Sequence, residues 1–237
     1  LFSAEPEDVP GGLYALDTAT GKTLWKRDRD GGPSPYAAPF LRRGVGGRAE
    51  AVFVSSAHGL TAVDPATGAV LWEAPGLFKL RTVAAPVEAA GVVVATSGSG
   101  GGDRMAVGVR PPSRAGEKPE VLWRLTRAVS YVPTPLALGD DVLFWGDGGI
   151  VTRVRAATGE ILWQERVGGN YFGSPIRAGG RIWCLSARGE AVALADAPTF
   201  RLLGKSELGD TSHATPAAAG GRLYLRTRSR LFAVASR

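Results

Sequence analysis

Apolar residues in this chain come in short runs separated by glycine- and proline-rich turns, a pattern of many short strands rather than long helices. Residues 135–166 show the unit most clearly. After Pro135 come Leu-Ala-Leu, the turn Gly139-Asp-Asp141, a strand from Val142 to Trp145 and a turn from Gly146 to Gly149. A strand from Ile150 to Arg155, the turn Ala156-Ala-Thr-Gly159 and a strand from Glu160 to Arg166 complete it. The same order recurs behind Pro39, Pro86, Pro175 and Pro216, with 47, 49, 40 and 41 residues between successive prolines. Four short strands in a period of this length predict a β-propeller, whose radially arranged blades cover one another's strand edges. A parallel β-helix needs shorter rungs, and an immunoglobulin-like sandwich does not repeat its turn chemistry at fixed offsets.

The third turn of each unit carries the sharpest signal. Ala15-Leu-Asp17-Thr-Ala-Thr20-Gly21-Lys-Thr-Leu-Trp25 and Ala62-Val-Asp64-Pro-Ala-Thr67-Gly68-Ala-Val-Leu-Trp72 share one pattern at identical spacing. Asp accepts hydrogen bonds from amides two or more residues on, Thr closes the turn with its hydroxyl, and Gly supplies positive φ. Trp then falls on the last strand, where a large flat ring fills the gap between neighbouring sheets. Thr158-Gly159-Glu-Ile-Leu-Trp163 keeps the second half of the pattern with Arg155 in the Asp place. Val121-Leu-Trp123 keeps only its end, after an insertion spanning Arg110 to Pro119. In the unit beginning at Pro175, Leu203 is read into the Trp place.

This pattern resembles the tryptophan-docking repeat of the pyrroloquinoline quinone (PQQ)-like propeller superfamily, which holds both quinoprotein dehydrogenases and BamB-like noncatalytic propellers. The expected fold is therefore all-β, a propeller of four-stranded blades. Lettering strands A to D from each proline, the chain starts in a B strand, runs through four full blades and ends after a C strand. That makes an incomplete array of four full blades with a part-blade at each end. One domain over 1–237 is expected, with repeats at about 1–34, 35–81, 82–130, 131–170, 171–211 and 212–237. Because both ends contribute B and C strands, they cannot merge into one blade. The chain is read as the C-terminal portion of a longer propeller, the missing N-terminal blades being a partner of the same chain. The resemblance also implies an exported, periplasmic or envelope-associated protein; no signal peptide is recognisable here, and no apolar run reaches the eighteen or so residues of a membrane helix.

Composition adds little. Lys and Arg number 28 against 22 Asp and Glu, giving +6, and 23 of the 28 are Arg scattered along the chain. Read as a strand, Arg226, Arg228 and Arg230 share one face that could grip phosphate. In so Arg-rich a chain the same pattern is an ordinary solvated face, so nucleic acid is not the expected partner. Cys184 is alone, which excludes an internal disulfide, and lies between Trp183 and Leu185 as a core residue. Ser97-Gly-Ser-Gly-Gly-Gly102-Asp103 lacks the Lys-Ser/Thr of a phosphate loop and reads as a flexible insertion. His58 and His213 have no ligand cluster near them in sequence.

Candidate function falls on the residues just before each A strand, at the mouth of the propeller channel. Tyr36, Arg81, Tyr131, Asn170, Tyr171 and His213 form an aromatic and polar rim suited to a protein or peptide, with Arg81 as the anion contact. Asp17, Gly21, Trp25, Asp64, Gly68, Trp72, Trp123, Gly159 and Trp163 are assigned to blade docking. A quinoprotein dehydrogenase would need PQQ with Ca²⁺ on a carboxylate-rich site and, in many members, adjacent cysteines. With one Cys and no carboxylate placed at the mouth, no catalytic, cofactor or metal residues are assigned. The expected function is a noncatalytic scaffold, with a PQQ-dependent dehydrogenase segment as the alternative.

Overall fold

The computed structural model describes residues 1–100, 102–114 and 116–235. Gly101 of the glycine run, Ala115 of the insertion and the last two positions of the 212–237 repeat lie outside them. The described residues form six antiparallel sheets in chain order, the incomplete propeller expected. Blade 1 holds β1 (Phe2–Ala4), β2 (Gly11–Leu16) and β3 (Thr23–Arg29), the B, C and D strands. Blade 2 is β4 (Phe40–Arg43), β5 (Ala49–Ser55), β6 (Gly59–Val63) and β7 (Val70–Ala74). Blade 3 is β8 (Val87–Ala89), β9 (Val92–Gly98), β10 (Arg104–Arg110) and β11 (Glu120–Leu125). Blade 4 is β12 (Leu136–Leu138), β13 (Asp141–Trp145), β14 (Ile150–Arg155) and β15 (Ile161–Arg166). Blade 5 is β16 (Ile176–Ala178), β17 (Arg181–Leu185), β18 (Glu190–Ala195) and β19 (Leu202–Glu207). Blade 6 holds β20 (Ala217–Ala219), β21 (Arg222–Arg226) and β22 (Leu231–Ala235), an A, B and C set. No helix among the described residues is long and apolar enough to cross a membrane.

The core lies between blades, one apolar cluster to each boundary. Middle strands therefore bury both faces and read as continuous apolar runs. In β9, Val93 and Ala95 pack toward blade 2, while Val92 and Val94 pack toward blade 4. The A strands of blades 3 and 4, β8 and β12, also approach one another. Buried charge joins these contacts where apolar residues give way. Arg29 of blade 1 reaches Glu73 at 3.3 Å and Thr61 at 2.9 Å in blade 2. Arg42 joins Glu50 at 2.6 Å to Glu88 of blade 3 at 3.0 Å.

Each C–D ladder carries a bulge at the same step. Trp25 pairs with Ala15 and Thr23 with Leu16, which leaves Leu24 without a partner across the ladder. Leu71, Leu122, Leu162 and Leu203 occupy the equivalent positions in the next four blades. Such a bulge bends the strand and re-aims the following side chain. In blades 1 to 4 that side chain is Trp25, Trp72, Trp123 or Trp163. In blade 5 it is Gly204, paired with Ala193, so the residue in the Trp place is Gly204 and not Leu203. The C–D turn of blade 5 is one residue longer, since Ala193 and Gly204 stand eleven positions apart where Ala15 and Trp25 stand ten, and the repeat spacing did not capture that extra residue.

Where the rings go depends on the turn they meet. The indole nitrogen of Trp25 donates to Pro65 O at 3.0 Å in blade 2, and that of Trp123 to Ala156 O at 2.7 Å in blade 4. A Cβ on Gly68 would stand 2.6 Å from Trp25, and one on Gly159 2.7 Å from Trp123. Both glycines also have positive φ, +71° and +75°. Asp17 and Asp64 hold their turns by accepting from amides two and three residues on. The turn at Gly159 keeps its backbone bond to Arg155 O at 2.9 Å without that carboxylate. Trp163 meets Phe200 edge-on at 5.5 Å. Trp72 instead donates to Glu50 of its own blade at 3.0 Å and joins the apolar cluster shared with blade 3, whose third turn is replaced by the Arg110–Pro119 loop.

Two further expectations change. The described residues 97–100 and 102–103 belong to the B–C connection of blade 3, where Ser99 N donates to Asp103 O at 2.9 Å, and not to an insertion. Arg226, Arg228 and Arg230 do not share a strand face: β21 ends at Arg226, and Thr227 to Arg230 form the B–C turn of blade 6. Cys184 is buried as expected, and burial pushes its thiol well above its ordinary range.

Trp123→Ala removes a buried aromatic and its hydrogen bond, and should lower stability by about 3–5 kcal/mol. Gly159→Ala should be destabilising in the same direction, because the new methyl meets the ring and the backbone conformation disfavours it. Thermal melting of either variant at the parent temperature would disprove the interblade role of this contact.

Candidate functional site

In an antiparallel meander the D–A connectors and the B–C turns lie at one end of every blade, and here they are joined by backbone hydrogen bonds. Tyr171 N donates to Asp147 O, Ala187 N to Asn170 O, Gly98 N to Arg81 O and Arg228 N to Thr211 O, all at 2.7–3.0 Å. A second series runs from blade to blade. Ala85 N donates to Thr134 Oγ1 at 3.2 Å, Thr134 N to Ser174 Oγ at 3.0 Å and Ser174 N to Thr215 Oγ1 at 2.9 Å. Each of these residues directly precedes an anchor proline, whose fixed φ keeps the connector extended before its A strand.

An extended connector alternates its side chains, and this sorts the candidate rim. The third residue before the proline faces outward at three of the five connectors, where Tyr36 is 64% exposed, Phe172 46% and His213 exposed, while Val83 and Val132 are half-buried. Phe172 and His213 lie ring to ring at 4.5 Å, tilted by 48°. The fourth residue back turns inward under the neighbouring B–C turn. Thr82 donates to Val54 O and Ser212 to Arg226 O, and both are buried. Tyr171 holds this inward position. It is fully buried against Trp145, with ring centroids 5.3 Å apart, and desolvation drives its hydroxyl well above the ordinary tyrosine range. The expected rim contact is thus an internal wedge. Tyr131, also at the fourth position, is half-buried over Gly98. Asn170 is exposed.

Carboxylates that sequence spacing did not place at this end are present, and most are engaged. Glu7, from the B–C loop of blade 1, takes Arg81 Nη2 on both oxygens at 2.5 and 2.6 Å, so Arg81 is not a free anion contact. Asp147 accepts from Tyr131 N at 2.8 Å and Val132 N at 3.1 Å, pinning that connector to the B–C turn of blade 4. Asp210 accepts from Ser229 N and Ser229 Oγ, each at 2.8 Å, and from Thr211 N. Those bonds, the Ser229 amide foremost, hold its carboxyl at about 2. Beside it His213, Ser212, Arg226 and Arg228 line a cleft of about 480 Å³. Among the described residues no group of three or more His, Cys, Asp or Glu side chains converges to hold a metal ion. The outward face is therefore aromatic and cationic. Phe172 shares the register of Tyr36 and His213, a signal present in the sequence and not selected from it.

A family model described as outer membrane protein assembly factor BamB matches residues 9–237. The outer membrane protein assembly factor BamB of Yersinia pestis is 25% identical over 238 aligned residues, covering 92% of this chain and 57% of that protein. The crystal structure of BamB from Moraxella catarrhalis superposes with a TM-score of 0.65 at 19% identity, over 98% of this chain and 65% of the other. The quinohemoprotein alcohol dehydrogenase of Comamonas testosteroni superposes at 0.60 and 13% identity, over 94% of this chain and 49% of its own. The chain thus spans less than two thirds of the length of these relatives.

Tyr171→Ala should cost about 3–5 kcal/mol, as for a buried aromatic. Tyr171→Phe should be neutral or stabilising by up to about 1 kcal/mol, because the buried hydroxyl has no hydrogen-bond partner among the described residues. A stable Tyr171→Ala variant in denaturant unfolding would return this residue to the rim. For Asp210, whose folded pKa lies below the ordinary aspartate value of 3.8, stabilisation is complete above about pH 4 and lost as pH falls through about 2. Asp210→Asn should flatten that acid limb of the stability profile; an unchanged profile would show that the turn does not depend on this carboxylate.

Proposed function

Since the chain belongs to the outer membrane protein assembly factor BamB family, we propose that it is an exported, noncatalytic scaffold that holds a protein segment on the face formed by the D–A connectors and B–C turns. The observation that carries this reading is the outward register of Tyr36, Phe172 and His213 on a backbone already fixed by hydrogen bonds between connectors and turns. Aromatic rings on a rigid support bind a partner with little ordering cost, and such residues dominate interface energetics. The periplasm, next to the outer membrane, is the compartment this reading requires. The dehydrogenase alternative is less favoured: its likeness is one of fold alone, and the candidate face directs its carboxylates to amides and to Arg81.

The test is binding of this chain to a purified outer-membrane assembly component by biolayer interferometry. Truncating Tyr36, Phe172 or His213 to Ala should weaken binding about 5- to 30-fold each, the effect of about 1–2 kcal/mol at a rim, with melting temperatures unchanged. Parent-like binding by all three variants would overturn the assignment of this face. Saturable, Ca²⁺-dependent binding of PQQ would overturn the noncatalytic reading.

A further inference from the structure

Between blades 3 and 4, at the connector end, lies a cavity of about 230 Å³ that the aromatic rim does not use. Arg104, Thr126, Arg127 and Val129 line it with the backbone of Gly146 and Gly148, and no Asp or Glu among the described residues does. Arg104 follows the B–C hairpin of blade 3, and Arg127 sits in the connector leading to blade 4. Two arginines thus line one cleft from two blades. Arg104 Nε is buried and has no hydrogen-bond partner among the described residues. The carboxylate beside it, Asp147 Oδ2, stands 3.7 Å away and is already taken by Tyr131 N, the other oxygen by Val132 N. Asp147 therefore holds Arg104 in place without saturating it. Between Arg127 and Val129, Ala128 adopts φ +59°, a left-handed conformation that a residue with a Cβ seldom takes. Strain of this kind persists where the surrounding structure enforces it, and often marks a binding site.

We propose that this cavity is a binding site for a single oxyanion group, a phosphate or a carboxylate, held by the guanidiniums of Arg104 and Arg127 with Thr126 as a further donor. Planar guanidinium donors match the paired acceptors of both groups. With Nε buried beside Asp147, the outer nitrogens of the Arg104 guanidinium are the donors left for the ligand. A cleft of about 230 Å³ between two blades has room for one such group, not for the duplex nucleic acid that a broad basic face would admit. The site does not depend on the scaffold reading, since its residues lie apart from Tyr36, Phe172 and His213.

Isothermal titration of the full chain with sodium phosphate, with sodium succinate and with sodium chloride, at matched ionic strength, tests this. Phosphate or succinate should bind saturably at one site, and chloride should not. Arg127→Gln, at an exposed position, should weaken that binding at least about tenfold with the fold intact; Arg104→Gln should do the same, and where it melts early the Arg127 variant decides. Arg114→Gln, on the loop at the opposite end of blade 3, should bind as the parent does. Tighter binding of phosphate identifies a phosphoryl ligand, and tighter binding of succinate a carboxylate. Absence of saturation with both anions, heats equal to those of chloride, or parent-like binding by Arg127→Gln would each overturn the proposal.

Discussion

The contact on which the array depends is an indole laid on the glycine turn of the next blade, because it couples a sheet's last strand to a neighbour far along the chain. Three requirements meet there. The turn needs positive φ, the ring needs a surface without a side chain, and the indole nitrogen needs a carbonyl within reach. Gly68 and Gly159 satisfy the first two at once, and Pro65 O and Ala156 O supply the third. The bulge one residue earlier aims the ring, so a turn, a bulge and a ring act as one device. Gly108 shows how little room it leaves: a methyl there would stand 2.2 Å from Trp123 in the same blade.

Fixing the blades in this way leaves the connector end free to differ from blade to blade. Its scaffold is made of backbone bonds and of proline-preceding hydroxyls, so the outward residues carry little structural duty. The carboxylates at this end are engaged within the chain, by amides in the case of Asp147 and Asp210 and by Arg81, in an exposed pair, in the case of Glu7. What remains outward is aromatic and cationic, and the chemistry of the face follows from that division of labour.

The architecture was legible because each strand is short and each turn is marked by glycine. Four strands per proline, the partial sheets at both ends and the turn roles of Asp17 and Asp64 all follow from local sequence. Pairings across long separations were not legible. Glu7 and Arg81 stand 74 residues apart, and nothing near either residue announces the other. Tyr171 misled for a different reason: position along the connector was read correctly, but alternation between its third and fourth residues was not applied, and that alternation buries one and exposes the other. Leu203 and the Arg226–Arg230 run failed through register, the first by one extra residue in the C–D turn of blade 5 and the second by a turn within an apparently periodic stretch.

Gly204 gives the array a direction. Blades 1 and 3 each place a ring on a glycine turn, blade 2 sets its ring in a large apolar cluster, and blade 4 meets Phe200. Blade 5 has Gly204 in the docking place, so its boundary with blade 6 relies on Trp183 and Phe232, each only partly buried, and β19 is exposed along its whole length. In an assembly whose cooperativity is the sum of nearest-neighbour couplings, the weakest coupling decides where opening begins. Sheet six can therefore loosen while sheets three and four stay shut, so amide protons of β20 to β22 exchange with solvent ahead of those in β9 and β13. The connector end would then combine a compliant half with a stiff one, and a segment laid across both would meet a hinge.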